Sequence, residues 1–144
     1  MKLVDFELIK EEWTIVELED GTILRMRPVL LFLRQGASKS RKKAPPRAMR
    51  VQLQFGVWAK TKGKPSRTPI TLEHMQKNIV RTNLSFRFLR HGESTYQVEG
   101  QNFQLKAIPI QFDKTSLVDK DGEPTYLIQN DFLAGFEQES TGKS

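Results

Sequence analysis

From Met49 to Val57 the chain alternates without interruption, with Met49, Val51, Leu53, Phe55 and Val57 separated by Arg50, Gln52, Gln54 and Gly56. Successive strand side chains point to opposite faces, so this spacing predicts a strand with one apolar and one polar face. Shorter stretches repeat the pattern less strictly. Leu3 to Ile9, Trp13 to Leu18, Ile23 to Leu33, Leu84 to Leu89, Thr95 to Val98, Phe103 to Phe112 and Tyr126 to Ile128 read as further strands, with Phe132 to Phe136 closing the sheet. The fold expected is mainly β with one short helix: a small barrel or sandwich of about seven or eight mostly antiparallel strands, with long basic loops.

Turn chemistry supports the strands. Glu19-Asp20-Gly21-Thr22 predicts a hairpin, because Asp-Gly tolerates the positive φ of a tight turn. Glu99-Gly100-Gln101-Asn102 predicts another, and Asp119 to Pro124 a third turn. Pro28 lacks an N–H, so its strand should be bent there or run along an edge. Residues 13–28 resemble the Asp-Gly hairpin of small SH3- or Sm-like barrels, which implies a barrel-like fold. One helix is expected from Thr71, a good N-cap, towards Asn83. Leu72, Met75 and Ile79 would share its face, and Glu73 and Lys77 are spaced as a favourable i,i+4 pair.

A faint echo runs through the chain. Leu18 to Ile23, Leu24-Arg25 and Pro28-Val29 resemble Val98 to Phe103, Leu105-Lys106 and Pro109-Ile110. A duplicated three-strand unit would suit a pseudo-symmetric barrel.

At 144 residues one domain is expected, over 1–136, with an exposed basic loop at 35–48 and a flexible tail at 137–144. The chain has no cysteine, which removes disulfides, thiolate zinc sites and thiol nucleophiles. No basic-then-apolar leader opens it, and the run Val29 to Leu33 is far shorter than the ~20 residues that span a bilayer. A soluble, cytoplasmic protein without a membrane partner or cofactor is the expectation.

Charge is distributed unevenly. Residues 1–20 carry a net −5, residues 21–92 a net +16 and residues 93–144 a net −5. Such asymmetry points to a polyanionic partner unless the three segments interleave in space and neutralise one another.

Three motif-like segments fail on spacing. Leu89-Arg90-His91-Gly92-Glu93-Ser94 resembles the Arg-His-Gly signature of histidine phosphatases, but the only other histidine, His74, lies upstream and the remaining residues read as strands. Lys60 to Ser66 lacks the first glycine of a phosphate-binding loop, Trp58 standing in its place, and Pro65 follows Lys64. Asp119, Asp121 and Glu123 alternate as in calcium loops, yet Gly122 falls at the fourth position and Asn130 at the twelfth. No catalytic residue and no metal site is singled out.

The basic stretch remains. Lys39, Arg41, Lys42, Lys43 and Arg47 form one cluster, and Lys60, Lys62, Lys64 and Arg67 another. They begin at opposite ends of the 49–59 strand, roughly 35 Å apart at ~3.3 Å per residue. Arg50 and Arg87 would lie on strand faces between them, and Trp58 breaks the apolar phase of its strand and so is a candidate for stacking on bases. Phe86, Phe88 and Tyr96 are also available for stacking, the two phenylalanines reading rather as core aromatics. The leading expectation is non-specific binding of RNA or DNA, for example as an accessory of a larger ribonucleoprotein. The alternatives are an assembly subunit that docks on an acidic protein surface and an enzyme with an unrecognised site.

Overall fold

The computed structural model describes residues 2–35 and 48–137. The Asp-Gly hairpin forms as its chemistry requires, with β3 (Thr14–Leu18) turning at Gly21, whose φ is 85°, into β4 (Ile23–Gln35). The second hairpin joins β8 (Ser94–Val98) to β9 (Gln101–Val118) through Glu99 and Gly100, both at positive φ, the signature of a two-residue type I′ turn. The alternating segment is β5 (Ala48–Trp58), which pairs antiparallel with β4.

Ten strands occur among the described residues, more than the sequence pattern predicts, because local alternation does not show where a run breaks or continues. Leu3 to Ile9 is broken at Asp5 into β1 (Lys2–Val4) and β2 (Phe6–Lys10), which join different sheets. Tyr126 to Ile128 and Phe132 to Phe136 are instead one strand, β10 (Pro124–Phe136), interrupted only by a bulge. The helix α1 (Leu72–Lys77) starts at the Thr71 cap, whose hydroxyl accepts from His74 N, and carries the Glu73–Lys77 ion pair at 2.9 Å. It ends six residues before Asn83, since β6 (Ile79–Arg81) pairs with β9 and so takes up the β-branched Ile79-Val80. Strand β7 (Phe86–Arg90) completes the set.

The strands form two curled sheets, consistent with a small barrel or sandwich. Sheet A runs β1-β4-β3-β7 with β5 on the far edge of β4, and sheet B runs β10-β9-β8-β2 with β6 on β9. Adding five to each strand number, counted cyclically through ten, converts one arrangement into the other. Strand β4 pairs with β1, β3 and β5, and β9 with β6, β8 and β10. The chain is therefore a duplication of a five-strand unit, 2–58 and 79–136, that exchanges one strand: β2 enters the sheet of the second unit and β7 that of the first.

The register establishes this residue by residue. Phe6 pairs with Val98 and Phe86 with Leu18; Leu8 pairs with Tyr96 and Phe88 with Val16. Both exchanged strands then bulge, at Ile9 and at Leu89, before Lys10–Thr95 and Arg90–Ile15 resume the ladder. The long strands bulge equivalently at Leu31 and Ile110. The echo read from sequence reflects this duplication, but the repeated unit is larger and differently aligned. Because the first turn is one residue longer, Leu24 corresponds to Phe103 and Met26 to Leu105, and Pro28 matches Ala107 instead of Pro109.

Two equivalent cores follow. Val16, Leu18, Leu24 and Met26 pack with Leu84, Phe112 and Tyr126; Tyr96, Val98, Phe103 and Leu105 pack with Leu30 and Leu33. Strand β4 contributes Leu24 and Met26 to the first and Leu30 and Leu33 to the second. Strand β9 does the converse with Phe103 and Leu105, Ala107 and Phe112. Each fully buried side chain of this size contributes about 1.5–3 kcal/mol by leaving water, so neither core is complete without strands from both units.

The units differ at one buried hydrogen bond. Along the edge of β4 that faces β3 and β1, no strand among the described residues covers the stretch between Met26 and Leu33. The Leu30 N–H, which points to this gap, donates to the buried Tyr96 hydroxyl at 3.0 Å, and Pro28, two residues earlier and aimed the same way, has no N–H to satisfy. In the second unit the residue equivalent to Leu30 is Pro109, which lacks the donor, and Val16 replaces Tyr96. Burial raises the Tyr96 phenol above its ordinary pKa. Tyr96→Phe strands the Leu30 N–H and should destabilise the fold by about 1–3 kcal/mol, read as a lower urea midpoint at unchanged slope, whereas Val16→Ala should act through lost volume alone.

Candidate nucleic-acid interface

Strand parity decides which side chains of sheet A face solvent. With Leu24, Met26, Leu30 and Leu33 inside, Arg25, Arg27, Phe32 and Arg34 of β4 lie on the outer face. Their partners across the ladder are Gly56, Gln54, Arg50 and Ala48, and Ile23 pairs with Trp58. Beyond β3, Arg87 sits opposite Glu17 and is bound to it, Nε to Oε1 at 2.7 Å. Trp13 lies flat under two guanidiniums, those of Arg27 at 4.2 Å and Arg25 at 4.9 Å from the ring centre. Arg27 also pairs with Glu11 at 2.9 Å and donates to Gln54 at 3.0 Å, and Arg34 lies over Phe32. Among the described residues no ion pair joins Arg25, Arg34 or Arg50 to a carboxylate.

The residues singled out from sequence are thus distributed over three places. Arg50, Trp58 and Arg87 come together on this outer face. Lys60 folds over the β3–β4 turn, its side chain against Gly21. Lys62, Lys64 and Arg67 are carried away on the loop that crosses to sheet B, where Gly63 N bonds Gly122 O at 2.8 Å, Ser66 N bonds Asp119 O at 3.0 Å, and Lys62 pairs with Glu123. Lys39, Arg41, Lys42, Lys43 and Arg47 lie outside the described residues, between β4 and β5. Sequence reasoning missed Arg25, Arg27 and Arg34; alternation with Leu24 and Met26 was the available signal for Arg25 and Arg27, whereas Arg34 faces outward only because of the bulge at Leu31.

Part of the basic stretch is neutralised by the acidic N-terminus. Arg81 pairs with Glu19, Arg87 with Glu17, Arg90 with Glu12 and Arg27 with Glu11. The Arg-His-Gly segment is explained in the same terms. Arg90 grips Glu12, His91 stacks on Phe88 at 4.0 Å, and a Cβ on Gly92 would meet the Trp13 carbonyl at 2.5 Å. Gly92 N donates to Thr14 Oγ1 at 3.0 Å, so the glycine is where the first and second units touch backbone to side chain.

At one end of the face a cleft of about 560 Å3 opens between the β3–β4 turn, Lys60 and β7, lined by Glu17, Glu19, Asp20, Lys60, Phe86 and Arg87 among others. Asp20 is one of its three lining carboxylates. Burial pushes this carboxyl up, but bonds from Thr22 N at 3.0 Å, Lys114 Nζ at 3.0 Å and Tyr126 Oη at 2.9 Å outweigh that and hold it at about 2. Burial in turn raises the Tyr126 phenol. Among the described residues no group of three or more metal-ligating side chains occurs, and no helix is long and apolar enough to cross a membrane.

Two outcomes are expected. Gly92→Ala forces the crossing segments apart and should cost about 1–3 kcal/mol, read as a lower thermal midpoint. Asp20 has its pKa depressed on folding, so its contribution is present above the unfolded value of ~3.9 and is lost as pH falls towards 2. Asp20→Asn should lower stability at pH 7 by about 1–2 kcal/mol, allowing for partial solvent screening, and flatten the acid limb of the urea-midpoint profile between about pH 4 and 2. Comparison of the chain with protein-family models, with curated proteins and with solved structures returns no match.

Proposed function

We propose that the chain binds nucleic acid through the outer face of sheet A. The observation that carries this reading is internal to the molecule. The five-strand unit is built twice with the same pairing and the same bulges, so the fold tolerates what either unit places on its outer face. Arg25, Arg34, Arg50 and Arg87 in the first sheet correspond to Gln104, Asp113, Gln129 and Glu7 in the second, and Trp13 and Trp58 correspond to Glu93 and Glu137. The shared strand arrangement therefore does not by itself dictate arginine or tryptophan at these positions. A face of guanidiniums, glutamine amides and aromatic rings matches phosphates by charge and fork geometry, and nucleotides by stacking. The basic residues Lys39, Arg41, Lys42, Lys43 and Arg47 lie in the segment 36–47, outside the described residues.

Fluorescence anisotropy with labelled nucleic acid across a salt series tests the reading. Log affinity should fall linearly with log salt. Each of Arg25→Gln, Arg34→Gln and Arg50→Gln should reduce the slope by about 0.7–0.9 for every phosphate the arginine had neutralised. Lys106→Gln, on the equivalent face of sheet B, should leave the slope unchanged. Absence of binding at low salt would overturn the proposal and turn attention to an acidic protein partner.

A further inference from the structure

We infer, resting on the proposed function, that the ligand is single-stranded, with an unpaired base stacked on Trp58 and a neighbouring one entering the cleft beside it. Trp58 is 63% exposed on the outer face of an edge strand. Trp13, by contrast, is half-buried and lies under two guanidiniums. A bare indole on a strand face has its use where base faces are free. In a duplex they are hidden in the stack, whereas in a single strand each base presents a π-face.

The cleft lies next to this ring, since Trp58 is followed by Ala59 and then by Lys60 on its rim. Ala59 is buried, and its N–H is fixed by the Glu123 carboxylate at 3.1 Å, which anchors the chain between the two. Lys60 supplies positive charge at the mouth, Phe86 supplies an apolar wall, and the carboxylates of Glu17, Glu19 and Asp20 line the cleft, Glu17 paired with Arg87 and Glu19 with Arg81. Glu19 is already oriented, its Oε1 taking Ser85 N at 2.7 Å. Carboxylates accept from exocyclic amino groups of bases and repel phosphates, while the flanking cations do the reverse. This combination admits a base and keeps the backbone on the rim. The volume of about 560 Å3 falls in the range of small-ligand clefts. In the second unit Glu137 stands where Trp58 does, so sheet B has no indole at the equivalent position.

The test compares labelled oligo-uridine RNA, oligo-thymidine DNA and oligo-cytidine DNA of roughly ten nucleotides with a blunt duplex of the same length, using the full chain. Single strands should bind more tightly than the duplex. Trp58→Ala should weaken them by roughly five- to 150-fold, the range of one base–aromatic stack, with Trp58→Phe restoring most of the affinity. Both variants should leave duplex binding, the salt slope and the thermal midpoint unchanged. If the duplex binds as well as the single strands, or Trp58→Ala weakens both equally, the inference fails while the arginine-face reading stands. If nothing binds at low salt, both fail.

Discussion

The exchange of β2 and β7 is the constraint on which the rest of the molecule depends. Without the exchange, β1, β3, β4 and β5 alone leave the β3 edge unpaired and one end of the core open, because Phe86 and Leu84 belong to the other unit. By lending β2 to sheet B and receiving β7, the first unit completes both deficits, and the second does the same in return. The long strands β4 and β9 reinforce this by serving one core with each end. The two sheets consequently share both cores, and the close approach of Gly92 to Trp13 marks where the units meet.

Within that symmetry the differences are informative. The Leu30–Tyr96 bond and the Pro109–Val16 pair are two physical solutions to one problem, a strand edge with no neighbour for several residues. One supplies an acceptor for the buried donor, and the other removes the donor. Neither is visible from one unit alone, since Tyr96 belongs to β8 and Leu30 to β4. The Asp20 cluster is a further asymmetry: the longer first turn brings a carboxylate to Tyr126 and Lys114, whereas the two-residue second turn places Glu99 and Gly100 there.

The outer faces diverge most, which follows from their freedom. Inward positions pair aliphatic with aliphatic or aromatic across the units: Leu24 with Phe103, Met26 with Leu105, Leu33 with Phe112, Val57 with Phe136. Outward positions pair arginine with glutamine or acid at Arg25, Arg34, Arg50 and Arg87, and with lysine at Arg27. Packing limits the first set to apolar side chains of fitting volume, while solvent accepts either sign on the second. The arginine-rich face and its exposed indole are thus the part of the chain least dictated by folding.

Local residue pattern determined much of this protein. Alternation placed β5, Asp-Gly and Glu-Gly placed the hairpins, Thr71 placed the helix start, and the echo around residues 18 and 98 pointed to duplication, because side-chain period, positive-φ turns and capping act within a few residues. The exposed Trp58 was also legible, as a break in phase. Tertiary structure alone decided the break at Asp5, the early end of α1, the exchange of strands and the assembly of Arg25, Arg34, Arg50 and Trp58 on one face. It also decided which basic residues neutralise the acidic N-terminus, as Arg81, Arg87 and Arg90 do. Those outcomes depend on which strands become neighbours. Pairing joins Phe6 to Val98 and Leu18 to Phe86 across long stretches of sequence, and no local rule of spacing or propensity encodes partners so far apart.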